Sequence, residues 1–193
     1  MAIHEFYERI VSEIQRDSGF IGRSIVLGEG NADSPRLVFV GEAPGASEER
    51  EGRPFVGTAG KNLDQTLAAL GCARERIFIT NLVKVRPVKQ NPKTGRLSNR
   101  PPTRDEAEFF TPLLLEELAL LRPTCVVTLG NFALCAITGS KNATIGRMHG
   151  KLTRGEFNLF PLYHPAAAIY NRKLRAVMDK DVLELRNLLE GMG

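Results

Sequence analysis

The pattern of apolar and polar residues predicts a helix followed by alternating strands and helices. Residues 3–16 are expected to form a helix with one apolar face, since apolar side chains recur there at helical spacing. These are Ile3, Phe6, Ile10 and Ile14. Four short apolar runs are typical of strands buried on both faces. They are LVFV (37–40), IFIT (77–80), CVVTL (125–129) and FNLFPLY (157–163).

Segments of helical length lie between and after these runs. Residues 58–70 precede Gly71, and residues 103–121 begin with TRDE, which is a capping-box pattern, and stop before Pro123. A third helix is predicted over residues 173–189. Its inward-facing residues are Leu174, Val177, Leu185 and Leu188. The β/α order predicts a parallel sheet with helices on both faces.

Residues 88–103 are predicted to form a mobile basic loop. The stretch holds three prolines, one glycine and no aromatic residue, and with Arg86 just before it there are five cationic side chains.

Length and composition narrow the class of protein. With 193 residues, 42% of them hydrophobic and 25% charged, residues 1–193 are expected to form a single domain. No stretch approaches the ~18 apolar residues of a membrane span, so a cytoplasmic protein is expected. A net charge of +4 favours a polyanionic partner, although ordinary enzymes share such a charge. The three cysteines, Cys72, Cys125 and Cys135, have no metal-site spacing and are expected to be free.

Polar residues follow the apolar runs where a parallel sheet binds its ligands, at the carboxyl ends of the strands. GEAPG (41–45) follows the first run, Asn81 the second and His164 the last. Singly, each has a structural explanation, as a tight turn, a strand-ending residue or a structural histidine. Together with Phe55 they predict one pocket. A Walker phosphate loop and a dinucleotide fingerprint are excluded, because neither pattern of glycines and lysine is present.

Six segments, in order and spacing, resemble the family 4 uracil-DNA glycosylases. They are GEGN (28–31), VGEAPG (40–45), GRPFVGTAG (52–60), NLVKVRP (81–87), TLG (128–130) and YHPA (163–166). The resemblance covers about residues 25–190. It implies an α/β fold, a three-layer α/β/α sandwich with a four-stranded parallel sheet. It also implies that the protein binds uracil-containing DNA, flips the uracil out and hydrolyses its N-glycosidic bond.

The resemblance assigns roles to the pocket residues. Phe55 is expected to stack on uracil, and Asn81 to read its Watson–Crick edge. His164 is expected to donate a hydrogen bond to uracil O2 as negative charge builds there. Gly41 and Ala43 belong to the predicted uracil-binding loop.

Two acidic residues in or near this loop have two possible interpretations each. The best-known family of the superfamily has an aspartate at the position of Ala43, so Glu42 is the nearest candidate to hold the water. An oxocarbenium-like sugar stabilised by DNA phosphates would instead need only a weakly activated water, unlike the two-carboxylate glycosidases. Glu48 is expected either to crowd the C5 edge and exclude thymine or to be a plain solvated charge.

The resemblance also suggests a DNA-binding surface. The predicted phosphate contacts are Lys84, Arg86, Lys89 and Arg172. Ile169 or Tyr170 is expected to fill the space left by the flipped base. Uracil opposite guanine should be favoured, because a mispaired base is flipped at lower cost.

The chain departs from the family at its iron–sulfur cluster. Family 4 enzymes usually hold four irons through four cysteines, but here the first thirty residues contain none, and Val85 and Phe109 occupy the other two positions. No cluster and no other metal are therefore expected. Val85, Phe109 and Phe20 are expected to fill its volume. A cluster rebuilt from the chain's three cysteines would lack a fourth ligand.

Other functions remain open at this point. A related branch binds uracil-DNA covalently through a histidine, but residues 82–103 contain none. The alternatives are a non-catalytic module that binds uracil or abasic DNA, and a glycosylase for hypoxanthine or xanthine. The intact set of pocket residues favours uracil excision with turnover. The enzyme is expected to be a monomer without a cofactor.

Overall fold

A computed structural model describes residues 2–191, apart from the side chains of Ile169 and Tyr170. The helices of this part are α1 (Ile3–Arg16), α2 (Ala46–Glu51), α3 (Thr58–Leu70), α4 (Arg104–Leu121), α5 (Asn131–Thr138), α6 (Ile145–Met148), α7 (Ala167–Tyr170) and α8 (Leu174–Gly191). The strands are β1 (Glu29–Gly30), β2 (Leu37–Gly41), β3 (Phe78–Asn81), β4 (Val88–Gln90), β5 (Leu97–Asn99), β6 (Cys125–Leu129) and β7 (Leu159–Leu162). A short 3-10 helix spans Arg74–Arg76.

The central sheet has the strand order β1-β3-β2-β6-β7. The four predicted strands β2, β3, β6 and β7 are parallel, and β1 adds a fifth, antiparallel strand at the edge beside β3. Strand β1 was not predicted, because two residues are too short for an alternating pattern. Among the parallel strands, β2 comes first in the chain. Strand β3 lies on one side of it and β6 and then β7 on the other, so the strand order reverses beside β2.

Alternate residues of the strands face opposite helical layers. Val38 and Val40 pack into a core with helices α1, α4 and α5. Leu37 and Phe39 pack into a second core with helices α3 and α8. Both cores are shielded from water, which explains why the strands read as continuous apolar runs. The predicted three-layer α/β/α sandwich is confirmed.

The predicted helices α1, α3 and α4 have the expected bounds to within one residue. The capping box of α4 is also confirmed, since Thr103 Oγ1 accepts from the Glu106 N–H at 3.2 Å and Glu106 Oε2 accepts from the Thr103 N–H at 2.8 Å. In α8 the predicted inward-facing Leu185 is buried, whereas Leu174, Val177 and Leu188 are only partly buried. The buried Val182 and Leu189 were not predicted. No helix within residues 2–191 is long and apolar enough to cross a membrane.

The segment predicted as an irregular basic loop contains a β-hairpin. Strands β4 and β5 pair antiparallel, with Lys89 opposite Ser98. Asn91 Oδ1 accepts from the N–H groups of Lys93 and Thr94, which closes the turn between the strands. Most of the hairpin side chains are exposed, so it lacks the apolar alternation that would have marked it as β-structure.

Candidate active site

Five chain segments line a cavity of about 430 Å³ at the carboxyl edge of the sheet. They are the loop after β2, the turn around Phe55, the end of β3, the end of β5 and the loop after β7. The wall includes Ala43, Glu48, Phe55, Asn81, Asn99 and His164. The topology therefore gathers most of the polar groups that the sequence placed after successive strands.

Asn81 ends β3 with its side chain at the base of this cavity and is only 3% exposed. Its amide has no hydrogen-bond partner among the residues described, so both its donor and its acceptor are free for a ligand. Gly41 lies beside it in the parallel register. A Cβ at position 41 would lie 2.3 Å from Asn81 Oδ1 and 2.5 Å from Phe55 Cζ. Only glycine leaves room for both side chains.

Phe55 and His164 line the cavity from two different loops. Their ring centroids are 6.1 Å apart and the ring planes are tilted by 32°. Phe55 is buried and has a positive φ of 54°, which is unusual for a bulky residue. The Phe55 ring thus presents a fixed aromatic surface to the cavity.

The backbone fixes the tautomer of His164. The Ala166 N–H donates to His164 Nδ1 at 3.2 Å, so Nδ1 carries no proton and the neutral ring carries it on Nε2. Burial lowers the pKa of His164 below its ordinary value. A neutral imidazole with a free Nε2–H donor therefore faces this site.

Glu42 lies next to the cavity but is not part of its wall. Its backbone carbonyl accepts from the Val83 N–H at 3.0 Å, which ties the loop after β2 to the turn after β3. The side chain is partly buried, and burial raises the pKa of its carboxyl group. The water-holding role expected of Glu42 stays a prediction.

Glu48 is a structural acceptor as well as a wall residue. Its carboxylate accepts from the N–H groups of Gly45 at 3.0 Å, Val56 at 3.1 Å and Gly57 at 2.7 Å. It therefore links the loop after β2 to the turn around Phe55. The interpretation of Glu48 as a plain solvated charge was wrong, while its action on the C5 edge of uracil stays a prediction.

Lys84 was wrongly predicted to contact DNA phosphates, because its side chain is fully buried. Its Nζ donates to Thr80 Oγ1 at 2.6 Å, to the Asn81 carbonyl at 2.8 Å and to Glu117 Oε2 at 2.6 Å. The Tyr7 hydroxyl also donates to Glu117. The lysine lies in the turn after β3, four residues after Thr80. Its partner Glu117 belongs to α4, and no local sequence pattern links the two residues.

The other predicted DNA contacts differ in exposure. The Arg86 side chain is only 12% exposed and donates to Glu49 at 2.9 Å and to Asn99 at 2.8 Å, so much of its charge is already paired. Lys89 and Arg172 are exposed. The side chains of Ile169 and Tyr170 lie outside the described residues.

The residues at the family's cluster positions do not fit an iron–sulfur cluster. Val85 is buried, and the Phe109 ring lies 5.0 Å from that of Phe20. Burial raises the pKa of Cys125, in the central strand β6, to about 12, which disfavours a thiolate ligand. No group of three or more metal-binding side chains occurs among the residues described. Apolar side chains occupy two of the positions, 85 and 109, where the family has ligands.

Sequence reasoning missed two parts of the site. Asn99 lines the cavity from β5, although it lay in the segment expected to be an irregular loop. Glu117 supports the end of β3 from α4 and was not singled out in the sequence. Neither had a local signal, because both act on residues far away in the chain.

Comparison with known proteins agrees with this geometry. Residues 27–186 match the family model described as the uracil DNA glycosylase superfamily. The chain therefore belongs to this superfamily.

Among curated proteins, the chain is similar to the type-4 uracil-DNA glycosylase of Sulfurisphaera tokodaii, with 40% identity over 84% of this chain and 74% of that protein. The type-4 uracil-DNA glycosylase of Saccharolobus solfataricus is 38% identical over 86% of this chain and 77% of its own. That of Archaeoglobus fulgidus is 37% identical over 84% and 81%.

Proposed function

We propose that this chain excises uracil from DNA by hydrolysing the N-glycosidic bond and leaves an abasic site. The observation that carries the proposal is the meeting of the Asn81 amide, the Phe55 ring and the neutral His164 in one cavity. Relatives named as uracil-DNA glycosylases support the same activity.

The cavity lies at the sheet edge between loops, so a base within a duplex has to be flipped out to enter it. Flipping costs a few kcal/mol and least for a mispaired or unpaired base. Uracil opposite guanine and uracil in single strands are therefore the expected substrates.

The free amide of Asn81 accounts for base selection. Its oxygen accepts from uracil N3–H and its NH₂ group donates to uracil O4, whereas cytosine presents the reverse pattern. A mismatched base would leave buried polar groups unpaired, and such sites discriminate strongly. Phe55 adds stacking that any base would gain, so it contributes affinity more than selection.

His164 stabilises the departing base. As the bond between C1′ and N1 breaks, its electron pair stays with uracil and negative charge reaches O2. The Nε2–H of the neutral His164 donates to that oxygen, and the interaction strengthens only as the charge develops. The oxygen of a water molecule then bonds to C1′, and its proton passes to the Glu42 carboxylate or to solvent. If the sugar departs as an oxocarbenium-like cation, the contribution of Glu42 is small.

Thymine differs from uracil by a methyl group at C5. We propose that Glu48, together with the loop it braces, leaves no room for that methyl group. The three N–H groups that hold the carboxylate prevent it from moving aside.

Exposed cations near the sheet edge supply the contacts to DNA. Lys89 and Arg172 are proposed to meet phosphates, which position a protein without reading sequence. One of Ile169 and Tyr170 is proposed to occupy the space of the flipped base. A monomeric state and a cytoplasmic location are further predictions.

The decisive experiment uses the purified chain with single-stranded and duplex oligonucleotides that carry uracil, hypoxanthine or xanthine, followed by alkaline cleavage of abasic sites. Strand breaks confined to uracil support the proposal. Breaks only at hypoxanthine or xanthine would indicate another deaminated base. Tight binding to uracil-DNA without breaks would indicate a binding module.

The same preparation tests the absence of a cluster. Because apolar side chains occupy the family's ligand positions, the protein is expected to be colourless with no stoichiometric iron. A brown protein with close to four irons per chain would contradict this.

A further inference from the structure

The turn that carries Phe55 depends on an arginine from another part of the chain. Arg74, at the start of the 3-10 helix, donates from Nη2 to the Pro54 carbonyl at 2.6 Å and from Nη1 to the Phe55 carbonyl at 3.2 Å. Because Phe55 has a φ of 54°, its backbone is in the left-handed region, which is unfavourable for a bulky residue. Such a conformation persists only when its surroundings hold it.

The Arg74 guanidinium is oriented towards the carbonyls of the turn and not as in an ordinary ion pair. Arg53 binds Glu29 through Nε and Nη2, at 2.8 and 3.1 Å, which is the usual fork geometry. Arg74 instead divides its two terminal nitrogens, so that each serves one carbonyl of the turn and one carboxylate, either Asp64 at 3.0 Å or Glu29 at 3.1 Å. Its buried Nε has no partner among the described residues. The carbonyls, and not the carboxylates alone, thus determine where the guanidinium lies.

Two further groups hold the same turn from other sides. Glu48 accepts from the N–H groups of Val56 and Gly57, directly after Phe55. A Cβ at Gly60 would lie 1.9 Å from the Phe55 carbonyl oxygen, so this glycine lets α3 approach the turn closely. Of the three, only Arg74 reaches the carbonyls of Pro54 and Phe55 with a side chain.

We infer that Arg74 is a positioning residue that holds Phe55 in its left-handed conformation and so places the stacking ring in the cavity. The inference rests on the proposed function for the role of the ring, but not for the geometry of the turn. Arg74 has no place in the wall of the cavity, and its effect on a bound base passes through Phe55.

A double-mutant cycle on the single-turnover rate of uracil excision tests this role. Arg74→Met should lower the rate at least fivefold, because the ring is no longer held in place. In a Phe55→Ala background the same change should alter the rate by less than about twofold, since no ring remains to be positioned. The rate of Arg74→Lys should lie between those of Arg74→Met and the wild type, because an ammonium group does not reproduce the contact of a guanidinium with both carbonyls.

Arg53→Met is the matched control, because it also removes a cation from Glu29 but leaves the turn untouched. Its rate should stay close to that of the wild type. Two results would overturn the inference and leave Arg74 as one member of a surface ion-pair network. One is that Arg74→Met lowers the rate equally with and without Phe55. The other is that Arg53→Met lowers the rate as much as Arg74→Met does.

A second cycle uses thermal unfolding and needs no activity. Phe55→Gly removes the steric penalty of the left-handed turn, so Arg74→Met should lower the melting temperature less in that background than in the wild type. Identical shifts in both backgrounds would show that Arg74 does not hold this conformation. If the wild type fails to cleave uracil-DNA while this cycle shows coupling, the proposed function falls and the positioning of Phe55 stands.

Discussion

The Asn81 side and the Phe55 side of the cavity are both held by a cation, but in opposite environments. Lys84 and Glu117 form a fully buried pair beneath Asn81. Arg74 lies behind Phe55, where its side chain is 22% exposed and shares Glu29 with Arg53. A buried charge is part of the core, whereas a partly exposed one is screened by water. The comparison indicates that the Asn81 side is tied to the stability of the fold and the Phe55 side mainly to the geometry of the site.

The largest effect is expected from Lys84→Met, which removes the cation of the buried pair on the Asn81 side. It leaves the Glu117 carboxylate in the core without its cation, and such changes cost about 3–5 kcal/mol. For a domain of this size the melting temperature should fall by roughly 6–20 °C, at ~2–4 °C per kcal/mol. Thermal denaturation followed by circular dichroism measures the shift.

The double variant Lys84→Met/Glu117→Leu should recover part of that loss, because no uncompensated charge remains. Arg9→Met is the control, since it breaks a pair with Glu116 that is about two-fifths exposed on both sides and should shift the melting temperature little. A Lys84→Met protein as stable as the wild type would mean that the buried pair does not support the Asn81 side.

The next effect concerns His164, which belongs to neither side. His164→Ala should lower the single-turnover rate ~100- to 1,000-fold, or about 2.7–4 kcal/mol, because it removes one preorganised donor to developing charge. Affinity for uracil-DNA should change little, since phosphate contacts supply most of it. Rapid-quench kinetics and a binding titration separate the two quantities. An unchanged rate with a collapsed affinity would make His164 a residue that positions DNA.

A smaller effect compares the two sides directly. Phe55→Ala should lose stacking worth ~1–3 kcal/mol for every base that enters the cavity.

Asn81→Asp should weaken uracil excision and, because a carboxyl group accepts from cytosine's amino group, permit slow attack on cytosine. Competition between uracil, cytosine and hypoxanthine substrates checks both variants. If Asn81→Asp left uracil excision untouched, the amide would not be the base reader.

The smallest effect is expected at Glu42 and appears as a pH dependence. Because burial raises the pKa of this carboxyl group above the ordinary 4.5, its carboxylate is lost at a higher pH than usual, and the rate should fall as the pH decreases through that pKa. Burial also lowers the pKa of His164, so its imidazole is protonated only at a lower pH than usual. Glu42→Gln should remove the acid limb at a cost below about 100-fold, the lower end for general-base catalysis. If the rate of Glu42→Gln still falls at low pH, the pH dependence belongs to another group.

Much of this molecule could be predicted from local patterns. The four parallel strands, the helices α1, α3 and α4 and the gathering of Asn81, Phe55 and His164 follow from periodicity and from the rule that ligands bind at the carboxyl ends of parallel strands. The hairpin β4–β5 and the short strand β1 did not follow, because pairing between exposed or very short segments leaves no apolar alternation.

Local patterns in the chain therefore establish the set of chemical groups and the order in which the sheet presents them. The packing of the layers determines which charged side chains are exposed and which are enclosed. Lys84 and Lys89 are both lysines near the end of β3, yet one is paired with Glu117 in the core and the other is exposed. The reason is physical, because a buried charge needs a partner. Glu117 is such a partner for Lys84, and the Phe55 carbonyl is one for Arg74. These partners lie far away in the chain and become neighbours only when the layers pack.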